Sequence, residues 1–216
     1  QGESLVRDHP SALQARYPSF DVTPAQYITN LIGFDDLYTP ESFRRKYQTE
    51  LAAENHAPTG NGKYLLIFGV PPKNQYPFLL GALKAERAAS LLVPEMRPRL
   101  WGAAMVAPEL LARNAPTTLI SDNIMGTLFA QGEIVKLCFF YDELEEAGAR
   151  GICGSLLAVQ LARLHKVPVE IFAGDRLEYE TRDRDVATFM GTPICPAGAI
   201  VYPVQSEVVP WNLLKG

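Results

Sequence analysis

The sequence predicts an α/β fold, a mostly parallel Rossmann-like sheet covered by helices on both faces, with a small N-terminal helical arm. Three observations point there. Beyond residue 63, apolar runs of strand length alternate with helix-capable stretches. The runs are apolar almost throughout rather than at every second residue, as strands covered on both faces require. Before residue 60 the apolar spacing is helical instead.

The arm comes first. In "FDVTPAQYITNLI", Thr23 suits an N-cap, Pro24 the first helical position and Gln26 a capping box. Tyr27, Ile28, Leu31 and Ile32 then recur at helical spacing. "TPESFRRKYQTELAAEN" repeats the Thr-Pro start at Thr39 and Pro40, predicting a second helix. The turn-rich "HAPTGNGK" reads as a hinge, dividing a helical arm at 1–60 from a Rossmann-like domain at 61–216. In that domain the strands are expected at "YLLIFG", "ASLLVP", "TTLIS", "VKLCFFY", "VPVEIF" and "AIVYP". Helices are expected at "PFLLGALKAERA", "PELLARN" and "SLLAVQLARLHK".

Composition excludes several classes. The chain of 216 residues is 47% hydrophobic and 20% charged, a globular balance. Its net charge of -4, without a basic stripe, argues against nucleic acid. No apolar run approaches the roughly 20 residues of a membrane helix, so no membrane partner is expected. Cys138, Cys153 and Cys195 lack the spacing of a zinc site or a disulfide framework. The reading is a cytoplasmic protein without metal or cofactor.

In parallel sheets, ligands sit outside the carboxyl ends of the strands. That directs attention to residues 69–72, 94–98, 121–123, 141–143 and 173–176. At "TTLISDN" the apolar run stops on Ser121, Asp122 and Asn123, which can cap the following helix and line an anion pocket at once. Gly154 and Ser155 offer a second cradle of N–H groups at a helix start. Cys153 lies at the same start, where a thiol is activated if exposed, but "GICGSLLAV" reads more readily as a small, apolar packing segment. Cys138 falls inside a strand and belongs to the core. From the residues alone, Asp142 is a polar residue in the acidic run "YDELEE".

From Ser90 to Asn123, "SLLVPEMRPRLWGAAMVAPELLARNAPTTLISDN" resembles the phosphosugar isomerase family that includes methylthioribose-1-phosphate isomerase and the regulatory subunits of initiation factor 2B. Glu95-Met96-Arg97-Pro98, Trp101-Gly102 and Ser121-Asp122-Asn123 stand where that family has Glu-Thr-Arg-Pro, Gln-Gly and Thr-Asp-Asn. "FFYDELEEAGARGICGSLLAVQLARLHKVPVEIF" and "GTPICPAGAIVYP" extend the likeness to roughly Tyr64–Pro203. The segment "YPSFDVTPAQYIT" is similar to one that ordinarily follows the family's closing strand. Its N-terminal place implies a circular permutation, or a piece of a longer tandem protein, ahead of convergence.

The resemblance implies a phosphosugar or nucleotide ligand, with Asp142 on the catalytic aspartate and Arg97, Asp122, Asn123, Gly154 and Ser155 binding substrate. It also implies a homodimer. Three family features are replaced: the turn "IFGVPPKN" lacks the partner cysteine, Trp101 replaces a glutamine, and Gly151-Ile152 replaces an Asn-Lys pair. The expected function is therefore isomerase-like ligand binding. The alternatives are an active aldose–ketose isomerase using Asp142 and a non-catalytic assembly subunit.

Overall fold

Five residues of unbroken burial, Tyr64–Phe68, make the centre of the fold. A segment with no solvent face suits the middle of a sheet covered on both sides. A computed structural model describes residues 14–16, 23, 27–32, 37–42, 63–175, 177, 183–203 and 206–215. It divides the chain into two compact units, Phe20–Asn61, and Gln1–Ser19 together with Gly62–Gly216.

The strands, in chain order, are β1 (Gln14–Arg16), β2 (Leu31–Ile32), β3 (Leu37–Tyr38), β4 (Tyr64–Phe68), β5 (Ser90–Pro94), β6 (Thr117–Ile120), β7 (Ile134–Tyr141), β8 (Glu143–Leu144), β9 (Gly148–Ile152), β10 (Val169–Ala173), β11 (Thr188–Phe189), β12 (Thr192–Pro193) and β13 (Ser206–Pro210). The helices are α1 (Tyr76–Ala85), α2 (Ala107–Leu111), α3 (Met125–Ala130), α4 (Ser155–Leu164), α5 (Asp183–Ala187) and α6 (Trp211–Leu214).

In the larger unit, a six-stranded sheet runs β1-β6-β5-β4-β7-β10, every pair parallel. Chain order proceeds from β4 outward through β5 to β6, then returns to β7 on the other side of β4. That reversal is a topological switch, and the carboxyl ends on either side of it form the ligand edge of such sheets. Pro94 pairs with Ile120, Phe68 with Phe139, and Tyr141 with Ala173, so those ends share one rim. The core is apolar, with Phe68, Phe139, Phe140, Leu79, Met125 and Val159 all closed to solvent. Cys138 belongs to it as expected, and burial pushes its thiol up to about 12.

Two expected elements are corrected. "AIVYP" forms no strand: Ile200 is 97% exposed and Tyr202 84% exposed, in a stretch punctuated by Pro196, Gly198 and Pro203. The tail strand is instead β13, antiparallel to β9 in a three-stranded sheet with β8. In the smaller unit, the helix expected through Leu31 and Ile32 is replaced by antiparallel pairing, Leu31 opposite Tyr38 and Ile32 opposite Leu37. β-branched residues and the neighbouring Gly33 make a weak helix there, and strand pairing claims the backbone groups. The second start does form: residues 40–42 are helical, and Ser42 N donates to Thr39 Oγ1 at 3.2 Å.

Candidate functional site at the carboxyl edge of the sheet

Beyond β5 the chain turns sharply, and the turn sets the site. Met96 and Leu100 both take φ +59, the left-handed region that side chains ordinarily avoid, and the Arg97–Pro98 peptide is cis. What holds Met96 and Arg97 is the carboxylate of Asp122 at the end of β6. Its Oδ1 accepts from Met96 N and its Oδ2 from Arg97 N, both at 2.7 Å. After this turn Gly102 packs against β5, where a Cβ would stand 1.8 Å from the Pro94 carbonyl oxygen. The helix then widens into a π-helical turn over Gly102–Val106 before α2. Pro108, which has no N–H to donate, lies in the first turn of α2.

Asp122 therefore does not cap the helix that follows it. That helical start has no side-chain cap, because two amides stranded by a strained turn make a better partner for one carboxylate. Desolvation raises the Asp122 pKa and the two amide bonds oppose the rise. Asn123 is exposed, and its Oδ1 accepts from Ser121 Oγ at 2.6 Å.

Glu95 was not among the residues singled out for binding. It sits half-buried directly after β5, and its pKa is pushed up to about 7 by burial, reinforced by Asp122 and opposed by Arg97. A carboxylate following a fully buried strand was the available signal. Arg97 lays its guanidinium 4.7 Å over the Phe189 ring and makes no ion pair among the described residues. Next to it Arg99 pairs with Asp185 at 3.2 Å, so α5 and β11 are tied to this turn.

The second cradle is occupied. Gly154 takes φ +97 against Phe68, where a Cβ would meet Cζ at 2.7 Å. Ser155 is closed to solvent and donates to Ile152 O at 2.7 Å, so its hydroxyl is spent inside the turn. The N–H of Leu156 goes to Glu207 Oε1, from β13, at 2.7 Å. A carboxylate of the chain thus already sits at the start of α4. Cys153 is half-buried, and its thiol is raised by burial, then by Glu207 and Asp122, the opposite of an activated nucleophile.

Asp142 follows β7 on the same rim, half-buried, its N–H donating to Arg150 O at 2.8 Å. Arg97 and Asp122 are brought together by hydrogen bonding, whereas Asp142 stands across β4 at the end of β7. Among the described residues no group of three or more His, Cys, Asp or Glu could hold a metal ion, and no helix is long and apolar enough to cross a membrane.

No protein-family model matches the sequence. Individual relatives do. The chain is 35% identical over 158 residues to the methylthioribose-1-phosphate isomerase of Syntrophus aciditrophicus, covering 65% of this chain and 43% of that protein. It is 33% identical over 147 residues to the one from Pelotomaculum thermopropionicum, covering 62% and 40%. The chain is similar in sequence to methylthioribose-1-phosphate isomerases.

It spans about two fifths of the length of these curated relatives. Solved structures share the fold. The 5-methylthioribose 1-phosphate isomerase of Pyrococcus horikoshii superposes with a TM-score of 0.59 at 21% identity, over 74% of this chain and 50% of that one. Subunit delta of translation initiation factor eIF-2B from A. fulgidus gives 0.60 at 16%, over 71% and 50%. At the turn after β4, where the isomerase resemblance places a cysteine, this chain has Gly69-Val70-Pro71-Pro72. A Cβ on Gly69 would lie 2.1 Å from the Phe140 carbonyl oxygen, and Val70 is 3% exposed. Gly69 has no room for a side chain, and a side chain at position 70 is closed to solvent.

Proposed function

We propose that this chain binds a phosphosugar or a nucleotide at the carboxyl edge of its sheet and does not isomerise it. The observation that carries the reading is the Arg97 guanidinium, stacked on Phe189, without an ion pair among the described residues, and beside Glu95 and Asp122. It supplies a fixed cation for a phosphate, while half-buried carboxylates on the rim suit sugar hydroxyls. Relatives named for a ribose phosphate support the ligand class. The turn after β4 without a cysteine, Gly151-Ile152 in place of an Asn-Lys pair and the raised thiol pKa of Cys153 support the reading without isomerisation.

Thermal melts with ribose 1-phosphate, ribose 5-phosphate and AMP test this. At a hundredfold excess over Kd a ligand stabilises by about 2.7 kcal/mol, several degrees for a chain of this size. Arg97→Ala should shrink the shift while leaving the unliganded Tm within a few degrees. If none of the three compounds moves the wild-type Tm, the binding reading is wrong.

One observation favours a second reading, an active aldose–ketose isomerase with Asp142 as acid/base. Glu95, held near neutrality, has the proton affinity of a second acid/base group. Conversion of ribose 5-phosphate followed by proton NMR, lost in Asp142→Asn and in Glu95→Gln, would establish it. Zero turnover in wild type eliminates it and leaves binding intact. We also propose a cytoplasmic homodimer, as in a non-catalytic assembly subunit; a monomer mass by light scattering at high concentration would remove the dimer.

A further inference from the structure

We infer that a groove at the opposite, amino edge of the sheet is a second anion site, built to take a small phosphate monoester. The groove encloses about 450 Å³, within the range of small-molecule sites, and lies where the chain enters β5 and β6. Leu83, Ala115 and Pro116 contribute its apolar surface, and Lys84, Arg87, Arg113 and Asn114 its donors. Three cations on one concavity stand out in a chain whose net charge is -4. Only Arg113 is engaged. Its Nη1 donates to Glu109 O at 2.6 Å and Glu109 Oε2 at 2.5 Å, and its guanidinium lies 4.7 Å over the Tyr76 ring. Those contacts fix the group, and its Nε and Nη2 make no hydrogen bond among the described residues. Lys84 and Arg87 have no side-chain partner there at all. The nearby Glu86 is drawn away to Lys136 at 2.5 Å.

Cations near a helix C-terminus ordinarily serve the last carbonyls. Here backbone amides already do so. Glu86, Arg87 and Ala88 N donate to Ala82, Lys84 and Leu83 O at the end of α1. Arg113, Asn114 and Ala115 N donate to Leu110, Leu111 and Leu110 O at the end of α2. Arg87 and Asn114 are each held at positive φ, 52° and 55°, where the two helices end. Apart from Arg113 Nη1, which serves Glu109 O, the donors are free of capping duty among the described residues and converge from the ends of two helices. A single small concavity fits a monoester better than a polynucleotide, which needs an extended basic track.

The test is isothermal titration with inorganic phosphate and with ribose 5-phosphate, against wild type, Arg97→Ala, and Arg97→Ala carrying in addition either Lys84→Ala/Arg87→Ala or Ala89→Glu. Ala89 is exposed on the groove lining, so the last change adds a carboxylate without touching the core. Saturable binding that survives in Arg97→Ala is expected and, with Arg97→Ala as the background, it weakens at least tenfold on adding Lys84→Ala/Arg87→Ala and is lost on adding Ala89→Glu, with melting temperatures within a few degrees of wild type. Binding lost in Arg97→Ala alone would assign the anion to the carboxyl edge and overturn this inference without harming the proposed function. Unchanged binding on adding Ala89→Glu, no saturable binding of either probe, or binding only to phosphatidic acid vesicles would overturn it too.

Discussion

Replacing Glu95 by Gln removes a charge that the fold resists, and the consequence depends on pH in a definite direction. The carboxyl titrates at an ordinary 4.5 in the unfolded chain and at about 7 in the folded one. Below about pH 4.5 it is protonated in both states and costs nothing. Between 4.5 and about 7 the unfolded chain releases its proton first, so it binds fewer protons and stability falls as pH rises. Above about 7 the cost is complete and constant. The full interval corresponds to about 3.4 kcal/mol. Solvent reaches this half-buried group, and screening reduces the figure to about 1–2 kcal/mol. Glu95 makes no side-chain hydrogen bond among the described residues, so Gln forfeits none. Thermal melts of both proteins from pH 4.5 to 8.5 should coincide at the acid end. They should separate through neutrality, with Glu95→Gln about 2–8 °C more stable at pH 8. Curves that run parallel over the whole range, or a gap widest at pH 5, would refute the burial argument.

Three further outcomes follow from the same edge. Asp122→Ala strands the amides of Met96 and Arg97 in a strained turn and should cost about 2–4 kcal/mol, read as a lower urea midpoint, while Asp122→Asn, keeping one acceptor, should cost less. Gly102→Ala drives a methyl against the Pro94 carbonyl oxygen, 1.8 Å away, and should destabilise by about 2–4 kcal/mol by the same measurement. Glu207→Gln removes a carboxylate from the start of α4 at a cost of about 0.3–1 kcal/mol. It should also lower the Cys153 pKa, so that a disulfide reagent reacts faster at pH 8, yet more slowly than with free cysteine because burial remains the larger cause.

The central sheet was legible because β4, β5, β6 and the apolar part of β7 have no solvent face, and unbroken burial leaves an unbroken apolar run. What escaped depends on partners distant in sequence. "QAR" at 14–16 carries no strand signature, yet as β1 it pairs with β6, register Ala15 to Leu119. "AIVYP" has the composition of a strand and pairs with no strand among the described residues. At the rim, sequence placed Arg97, Asp122 and Asp142 on strand ends. It could not show that Asp122 is spent on the β5 turn, since caps and long-range ties use the same side chain. Glu207 was invisible for the same reason: it is 51 residues from the amide that it satisfies.

These two carboxylates decide what the edge can still bind. In a parallel sheet, the free amides beyond the strands and at helix starts are where a phosphate gains most. Here the amides of Met96 and Arg97 are filled by Asp122, and that of Leu156 by Glu207. A phosphate dianion entering either cradle would displace a carboxylate already fixed at 2.7 Å and leave it facing the ligand with like charge. Among the described residues at this edge, Arg97 has donors to spare, and stacking on Phe189 orients their plane. Under the proposed function, then, affinity comes from one guanidinium and from hydroxyls meeting Glu95 and Asp142, and it must weaken as Glu95 ionises. Wild-type affinity for ribose 5-phosphate should fall from pH 6 to pH 8 while Glu95→Gln, measured the same way, stays nearly level. An affinity that rises over that interval in wild type would mean the phosphate is held somewhere other than beside Glu95.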